Sequence, residues 1–433
     1  MAAFKKVVIS AADAVLAALL APIVIISIIN SVIRRRMNEG KSCLIQISAG
    51  GSLNDVLRKF GSLEALFNFD GDAPVRVFSR RVLFFFPSSN TLCFTFTDGW
   101  MILEQRKAMG YFKLTGVLLF LARLFHAASS EGGCLVRGCD PYFSGFAAWL
   151  TGALLGLPYC VSIHSDYDLR YKLDGAKGAP TIFRSRKLAK MLERFTLTHA
   201  DMVLPIRQSL ADKAVELGVA LDRIRIIPHG VDFEPFRFPL DKTKLGALGK
   251  ENRKIISFAG RLSKENYVDD IIAAARMLSA ARNDFVIVMA GGGSEEERLR
   301  RVVRQDELLS SSVTLKGFMP RDEVFELRKA SAIGLALMGG FSLIEACAAG
   351  RPVVAYDVEW HNELVIDGET GFLVKEGDIE GLARAVSFLL DNPAEADRIG
   401  GAAHRLAFER HDIQATSVIK RKAYEELLAF CPK

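Results

Sequence analysis

A chain of 433 residues, half of them hydrophobic, has the length for two ordinary domains and a further segment. Its net charge of +6 is spread along the chain, which suits an anionic ligand or a membrane surface and argues against nucleic acid as a partner. Seven scattered cysteines without a CxxC pair argue against a disulfide framework and a structural zinc site, and they fit a reducing compartment.

The first element is "AVLAALLAPIVIISIINSVI", Ala14 to Ile33, a run without a charge. That length crosses a bilayer as a helix, with Asp13 at its edge and Pro22 tolerated inside. Arg34, Arg35 and Arg36 follow at once, and no small-x-small cleavage site does, so the run reads as a membrane anchor and not a cleaved signal. Basic residues after the run outnumber Lys5 and Lys6 before it, which places the rest of the chain in the cytoplasm.

Strand-like runs then alternate with helix-like ones. Strands are expected at 43–48, 134–138, 159–164, 202–206 and 224–230, with helices at 144–157 and 185–198 among those between. Two runs within 60–100, "VRVFSRRVLFFFP" and "TLCFTFTD", suggest strands in a local hairpin. The stretch 111–126, "YFKLTGVLLFLARLFH", reads as a buried crossover helix, with a membrane-surface role as the alternative. Prolines, glycines and charges in 233–254 mark a linker. Beyond it, strands are expected at 254–260, 285–291, 313–318, 333–338 and 352–357, and helices at 268–279, 295–309, 322–330 and 342–349. Apolar strands alternating with helices predict an α/β chain of two Rossmann-like doubly wound domains, with ligands at the carboxyl ends of the strands, in a cleft between the domains.

Chemistry-bearing residues gather at those strand ends. Arg261 follows Gly260 at the end of the first strand after the linker, and its guanidinium suits phosphate. Gly291 to Gly293 end the next strand, where backbone can approach a ligand. Gly317 ends a third, positioned to read a base edge. The fourth end, "GGFSLIE", puts two glycines ahead of a helix starting near Ser342. The N–H groups of Ser342, Leu343 and Ile344 then offer a diphosphate site, with Glu345 one turn in, able to accept from ribose hydroxyls. In the first half, Gly50 and Gly51 precede a helix and His164 ends a strand, suited to hydrogen-bond a sugar hydroxyl. The spacing of His164, Asp166 and Asp168 looks like a metal motif, but nothing completes a ligand set, so no metal site is expected.

With "FAGRLSKEN", "AGGGSEEERL", "VTLKGF", "GFSLIEACAAGRPVVA", "NELVIDGETGFLV" and "IPHGVD", the chain resembles the retaining glycosyltransferases of the GT-B fold, family 4 or "glycosyl transferases group 1" type. The resemblance covers roughly residues 42–430 and is strongest in the second half. It implies transfer of a sugar from a nucleotide sugar, with retained anomeric configuration, no obligatory metal and no cofactor. Matched by position, Arg261 resembles the family's diphosphate-binding arginine, Glu345 its ribose-holding glutamate, His164 its cleft histidine near the transferred sugar, and Gly50 and Gly51 its glycine loop. Gly260, Lys264, Gly291, Gly292, Gly317 and Phe341 to Ile344 would complete the donor site. The implied organisation is an anchor over 1–40, an acceptor-side domain over 41–240, a nucleotide-sugar domain over 241–412 and a helix over 413–433 returning to the first domain.

Two positions depart from the family pattern. Asn266 stands where a lysine aids the leaving diphosphate, and Leu337 where a second glutamate touches the donor sugar. Lys264 is the nearby substitute for the lysine. The expected activity is therefore a membrane-anchored, metal-independent hexosyltransferase acting on a glycan or lipid-linked glycan. The alternative is a weak or inactive sugar-nucleotide-binding scaffold subunit of a glycan assembly complex.

Overall fold

The computed structural model describes residues 2–35, 43–49, 77–78, 80–86, 90–97, 99–107, 113–174, 185–250 and 252–429. The chain divides into two compact units, Met1–Pro228 with Thr416–Lys433, and His229–Ala415. The first division falls ahead of the "FEPFRFPLDKTKLGALGKENRK" stretch, which therefore belongs to the second unit.

Among the described residues, the first unit is built on β1 (Cys43–Ala49), β2 (Arg80–Phe86), β3 (Asn90–Thr97), β4 (Gly99–Lys107), β5 (Gly133–Gly138), β6 (Tyr159–Ile163) and β7 (Met202–Pro205). Their order is β4-β3-β2-β1-β5-β6-β7. The strands from β2 to β7 through β1 run parallel, and β3 and β4 extend the edge as an antiparallel meander. This sheet is therefore mixed: the hairpin expected within 60–100 forms as β2–β3, and β4 lengthens that antiparallel edge beyond it. Helices α2 (Lys113–Ser130), α3 (Phe143–Leu155), α4 (Tyr167–Asp174), α5 (Arg186–His199) and α6 (Gln208–Glu216) follow α1 (Ala2–Arg35). The strand expected at 224–230 forms only in part: Arg225 and Ile227 donate to Val203 and Pro205 of β7. The pairing stops there, where β7 ends at Pro205.

Helix α2 is the buried crossover between β4 and β5. Phe120, Leu124, Phe125 and Ala128 on its inner face join Ile45, Ile47, Val82 and Phe84 of the sheet in one core. On the opposite side of the sheet, Tyr424 near the chain's end is fully buried, packs edge-on to Phe78 at 5.4 Å and accepts from Arg137 Nη1 at 2.8 Å.

The second unit holds β8 (Lys254–Ala259), β9 (Phe285–Ala290), β10 (Val313–Gly317), β11 (Ile333–Leu335), β12 (Val353–Tyr356) and β13 (Phe372–Val374). All pairings are parallel, in the order β10-β9-β8-β11-β12-β13. Near-continuous apolar runs such as "FVIVMA" suit strands covered on both faces, and every residue of β9 is buried. Helix α7 (Glu234–Arg237) precedes β8, and between the strands lie α8 (Val268–Ala281), α9 (Glu296–Gln305), α10 (Glu307–Ser312), α11 (Arg321–Ala330) and α12 (Phe341–Ala348); α13 (Ile379–Asp391), α14 (Pro393–His411) and α15 (Ile413–Ala429) close the chain. The single helix expected at 295–309 is two, because Asp306 is extended and caps α10 through Leu309 N at 3.1 Å.

Candidate functional site

Parallel strands point their carboxyl ends one way, so the loops after β8, β9, β10 and β11 gather at one edge of the second unit. These strand ends, the loops after them and the first turns of α12 carry Gly260, Arg261, Lys264, Gly291, Gly292, Gly317 and Phe341 to Glu345. The structure thus brings these sequence-selected residues together. His164 directly follows β6 in the first unit, and Gly50 and Gly51 lie outside the described residues.

The glycines here serve the backbone first. Gly260 N donates to Ala290 O, Leu262 N to Gly292 O, and Gly291 N to Gly317 O, which stitches three strand ends together. A Cβ on Gly291 would sit 2.0 Å from Gly260 O, and one on Gly293 2.3 Å from Leu262 O. At Gly291, with φ +133°, only glycine allows that approach. Close packing of loop on loop, and not access for a ligand, accounts for Gly291 and Gly293.

Arg261 stands clear of this stitched base. Its side chain is 72% exposed, with an ion pair to Glu265 at 3.3 Å. Asn266, in the position of the family lysine, turns its amide back to donate to Arg261 O at 2.7 Å and Ser263 Oγ at 3.3 Å. It braces the loop that presents Arg261. Lys264 is exposed on the same turn.

Helix α12 begins after Gly339 and Gly340. Buried His361 fixes that turn, since Gly339 N donates to His361 Nε2 at 3.1 Å while His361 Nδ1 lies 2.8 Å from Tyr356 O at the end of β12. Ser342 Oγ donates to Ala259 O at 2.5 Å, tying the start of α12 to the end of β8. Ile344 N–H already donates to Gly340 O at 3.4 Å, so it is not one of the free donors expected there. Ser342 and Leu343 N–H are the first-turn donors that remain. The His229 ring packs on Phe341 with centroids 4.3 Å apart.

Two arginines hold Glu345, and neither was selected from sequence. Arg321 Nη2 lies 3.2 Å from Oε1 and Arg328 Nη2 3.5 Å from Oε2, with Glu345 14% exposed. Arg328 is buried, also donates to Ser342 Oγ at 3.1 Å, and keeps an Nε–H with no partner. Burial holds its pKa below the ordinary arginine value, against the pull of Glu345. A buried guanidinium under the first turn adds to the positive end of the helix dipole. In "ELRKA" it looks like any helical surface arginine, and no local signal separates it. Leu337, in the position of the missing glutamate, is fully buried in the core with Leu335, Ile256 and Phe258.

Around the end of β6, Asp166 accepts from Asp168 N and Leu169 N and so caps α4. Lys213 pairs with Asp166 at 2.6 Å and Asp168 at 3.1 Å, Lys190 with Asp168 at 2.7 Å, and Arg186 bonds Asp168 as well. Partial burial opposes ionisation of Asp168, but hydrogen bonds from Lys190, Lys213 and Arg186 outweigh it and hold the carboxyl well below the usual range. Among the described residues, no group of three His, Cys, Asp or Glu is placed to hold a metal ion.

Two family descriptions match the chain: "Glycosyl transferases group 1" over residues 242–406 and "Glycosyl transferase 4-like domain" over 106–230. The alpha-maltose-1-phosphate synthase of Mycolicibacterium smegmatis is 27% identical over 65% of this chain and 77% of its own length. The alpha-D-kanosaminyltransferase of Streptomyces kanamyceticus is 28% identical over 73% of this chain and 85% of its own. In solved structures, the sucrose-phosphate synthase of Thermosynechococcus elongatus superposes with a TM-score of 0.69 at 20% identity, over 90% of this chain and 100% of its own. Anabaena HepE in complex with UDP-glucose does so at 0.65 and 17%, over the same shares. These likenesses show the GT-B fold.

Proposed function

Starting from a chain that belongs to the group 1 glycosyltransferases, we propose that it moves a hexosyl group from a nucleoside diphosphate sugar to a glycan or lipid-linked glycan, with retained configuration and without a metal. The observation that carries the reading is the edge of the second unit, where exposed Arg261, the first turn of α12 and an arginine-held Glu345 share one set of strand ends. In the reaction, the bond from the anomeric carbon to the diphosphate oxygen breaks. The acceptor oxygen bonds the same carbon on the face the nucleotide leaves, and its proton passes to the departing diphosphate. Arg261 and the N–H groups of Ser342 and Leu343 stabilise the charge that grows on the diphosphate. Glu345, its carboxylate fixed by Arg321 and Arg328, accepts from the ribose hydroxyls with its remaining lone pairs. His164 orients the transferred sugar, and Lys264 supplements Arg261.

The enzyme is held at a membrane by its N-terminal helix, with the catalytic part on the cytoplasmic side. The apolar stretch Asp13–Ile33, of mean hydropathy 2.5, supports the membrane contact, and the arginines that follow it suit the anionic cytoplasmic leaflet. Full-length protein incubated with UDP-glucose and other sugar nucleotides, with extracted membrane lipid as acceptor, is expected to release nucleotide and label the lipid fraction. No release from any sugar nucleotide would sink the assignment.

A further inference from the structure

The N-terminal helix is long and apolar enough to cross a bilayer, yet the structure gives it a partner. Asp13, Ala17, Val24 and Ser31 are buried, and Ile28 and Val32 pack on the core of the first unit. The steps from 17 to 24 to 31 are heptads, the spacing of a seam between two helices. That seam lies along α2. The Asp13 carboxylate accepts from Thr115 N at 3.1 Å at the start of α2, and Ser129 Oγ donates to Ser31 O at 2.6 Å near its end. The two helices therefore run side by side in the same direction, fastened at both ends. The other face of α2 is the core beneath the sheet.

The outer face of α1 is a different surface. Val15, Leu19, Ile23, Ile25, Ile26, Ile29 and Ile33 are each more than half exposed, and the only polar residue exposed between Asp13 and Ile33 is Asn30. The one carboxylate of the stretch is turned inward onto α2. In sequence, Lys5 and Lys6 precede the stretch and Arg34, Arg35 and Arg36 follow it. A charge-free apolar ridge with cationic ends matches acyl chains flanked by anionic headgroups. A protein-facing patch carries a polar rim.

We propose that α1 lies along the membrane surface, docked on α2, and does not cross the bilayer. To cross while docked, it would carry α2 and the sheet beneath it into hydrocarbon, with Arg81, Arg123 and Arg137 among their residues. The docked protein surface takes the part that the polar face plays in an ordinary in-plane helix. This rests on the membrane-held reading above and decides how the contact is made. In this arrangement the N-terminus and the catalytic units share one side of the membrane.

The test uses the full chain with one epitope tag before Met1 and another after Lys433, in sealed membrane vesicles of one orientation. Protease is expected to remove both tags from the same face. An N-terminal tag protected while the C-terminal tag is cut overturns the in-plane placement and leaves membrane anchoring standing. In a second arm, purified full-length protein is sedimented with vesicles of phosphatidylcholine and phosphatidylglycerol. The combined variant Leu19→Glu, Ile23→Glu and Ile26→Glu is expected to bind about 10-fold less or weaker still, with its melting temperature unchanged. Val24→Glu, on the seam, is expected to lower the melting temperature. Equal vesicle binding by the outer-face variant overturns the proposal. A wild-type chain that dimerises through this face and binds no vesicle overturns both the proposal and the anchoring.

Discussion

The strand ends of the two units carry charge in opposite ways. After β6, Arg186, Lys190 and Lys213 are each ion-paired to Asp166 or Asp168, with buried Glu193 close by. In the second unit, Arg261 and Lys264 after β8 and Arg321 and Arg328 on α11 after β10 stand against Glu265 and, on α12 after β11, Glu345. The first arrangement is closed and structural. The second leaves positive charge over, at the start of a helix, and that surplus is what a diphosphate needs. The same topological position is thus closed by ion pairs in one unit and, in the proposed reaction, left open for the donor diphosphate in the other, and charge balance tells them apart.

The comparison breaks first at Leu337. Leu337→Glu restores the family's acid on paper but puts a carboxylate in an apolar core, at a cost of several kcal/mol. The second unit is expected to lose its cooperative unfolding transition in calorimetry; a folded, more active variant would show that the site reaches Leu337 after all.

Next comes Asp140, a carboxylate of the first unit with a structural task. It accepts from Tyr142 N at 2.7 Å and from the Ser144 hydroxyl, and burial pushes it from 3.8 up to about 6 against those hydrogen bonds. Its folded pKa lies above the unfolded one, so its stabilisation is complete below 3.8 and is lost as pH rises through about 6. The loss is on the order of 3 kcal/mol. Asp140→Asn should remove that pH-dependent fall, seen as a flatter denaturation midpoint between about pH 4 and about pH 7.

Arg261→Ala tests the surplus itself. Turnover should drop ~100-fold, with the melting temperature unmoved because its pair with Glu265 is exposed. Arg328→Met should raise the donor KM ~10-fold by freeing Ser342 and Glu345, and Arg328→Lys should recover part of it. The smallest change is expected of Asn266→Lys. It adds a cation but releases the brace on Arg261 O, so steady-state rates should move less than ~10-fold either way.

Much of this was legible in the sequence. Period and composition marked the parallel strands of the second unit up to β12, the glycine pairs at their ends and the start of α12 within a residue or two, but not the short edge strand β13. The arginines around Glu345 were not legible. Arg321 and Arg328 lie on a helix whose polar pattern says surface, and only the tertiary structure shows that Arg328 is buried with its guanidinium on Ser342 and Glu345 of α12.

The sequence by itself determined the two α/β units, the strand ends that present Arg261 and Glu345, and an N-terminal helix apolar enough for lipid, because hydropathy and residue spacing report local faces. Tertiary structure alone decided that Leu337 is core, that Asp166 and Asp168 are neutralised, and that α1 is docked along α2. Each of those outcomes depends on a partner distant in the chain, as Asp13 and Thr115 show, and charge compensation and helix seams become visible only when the partners meet.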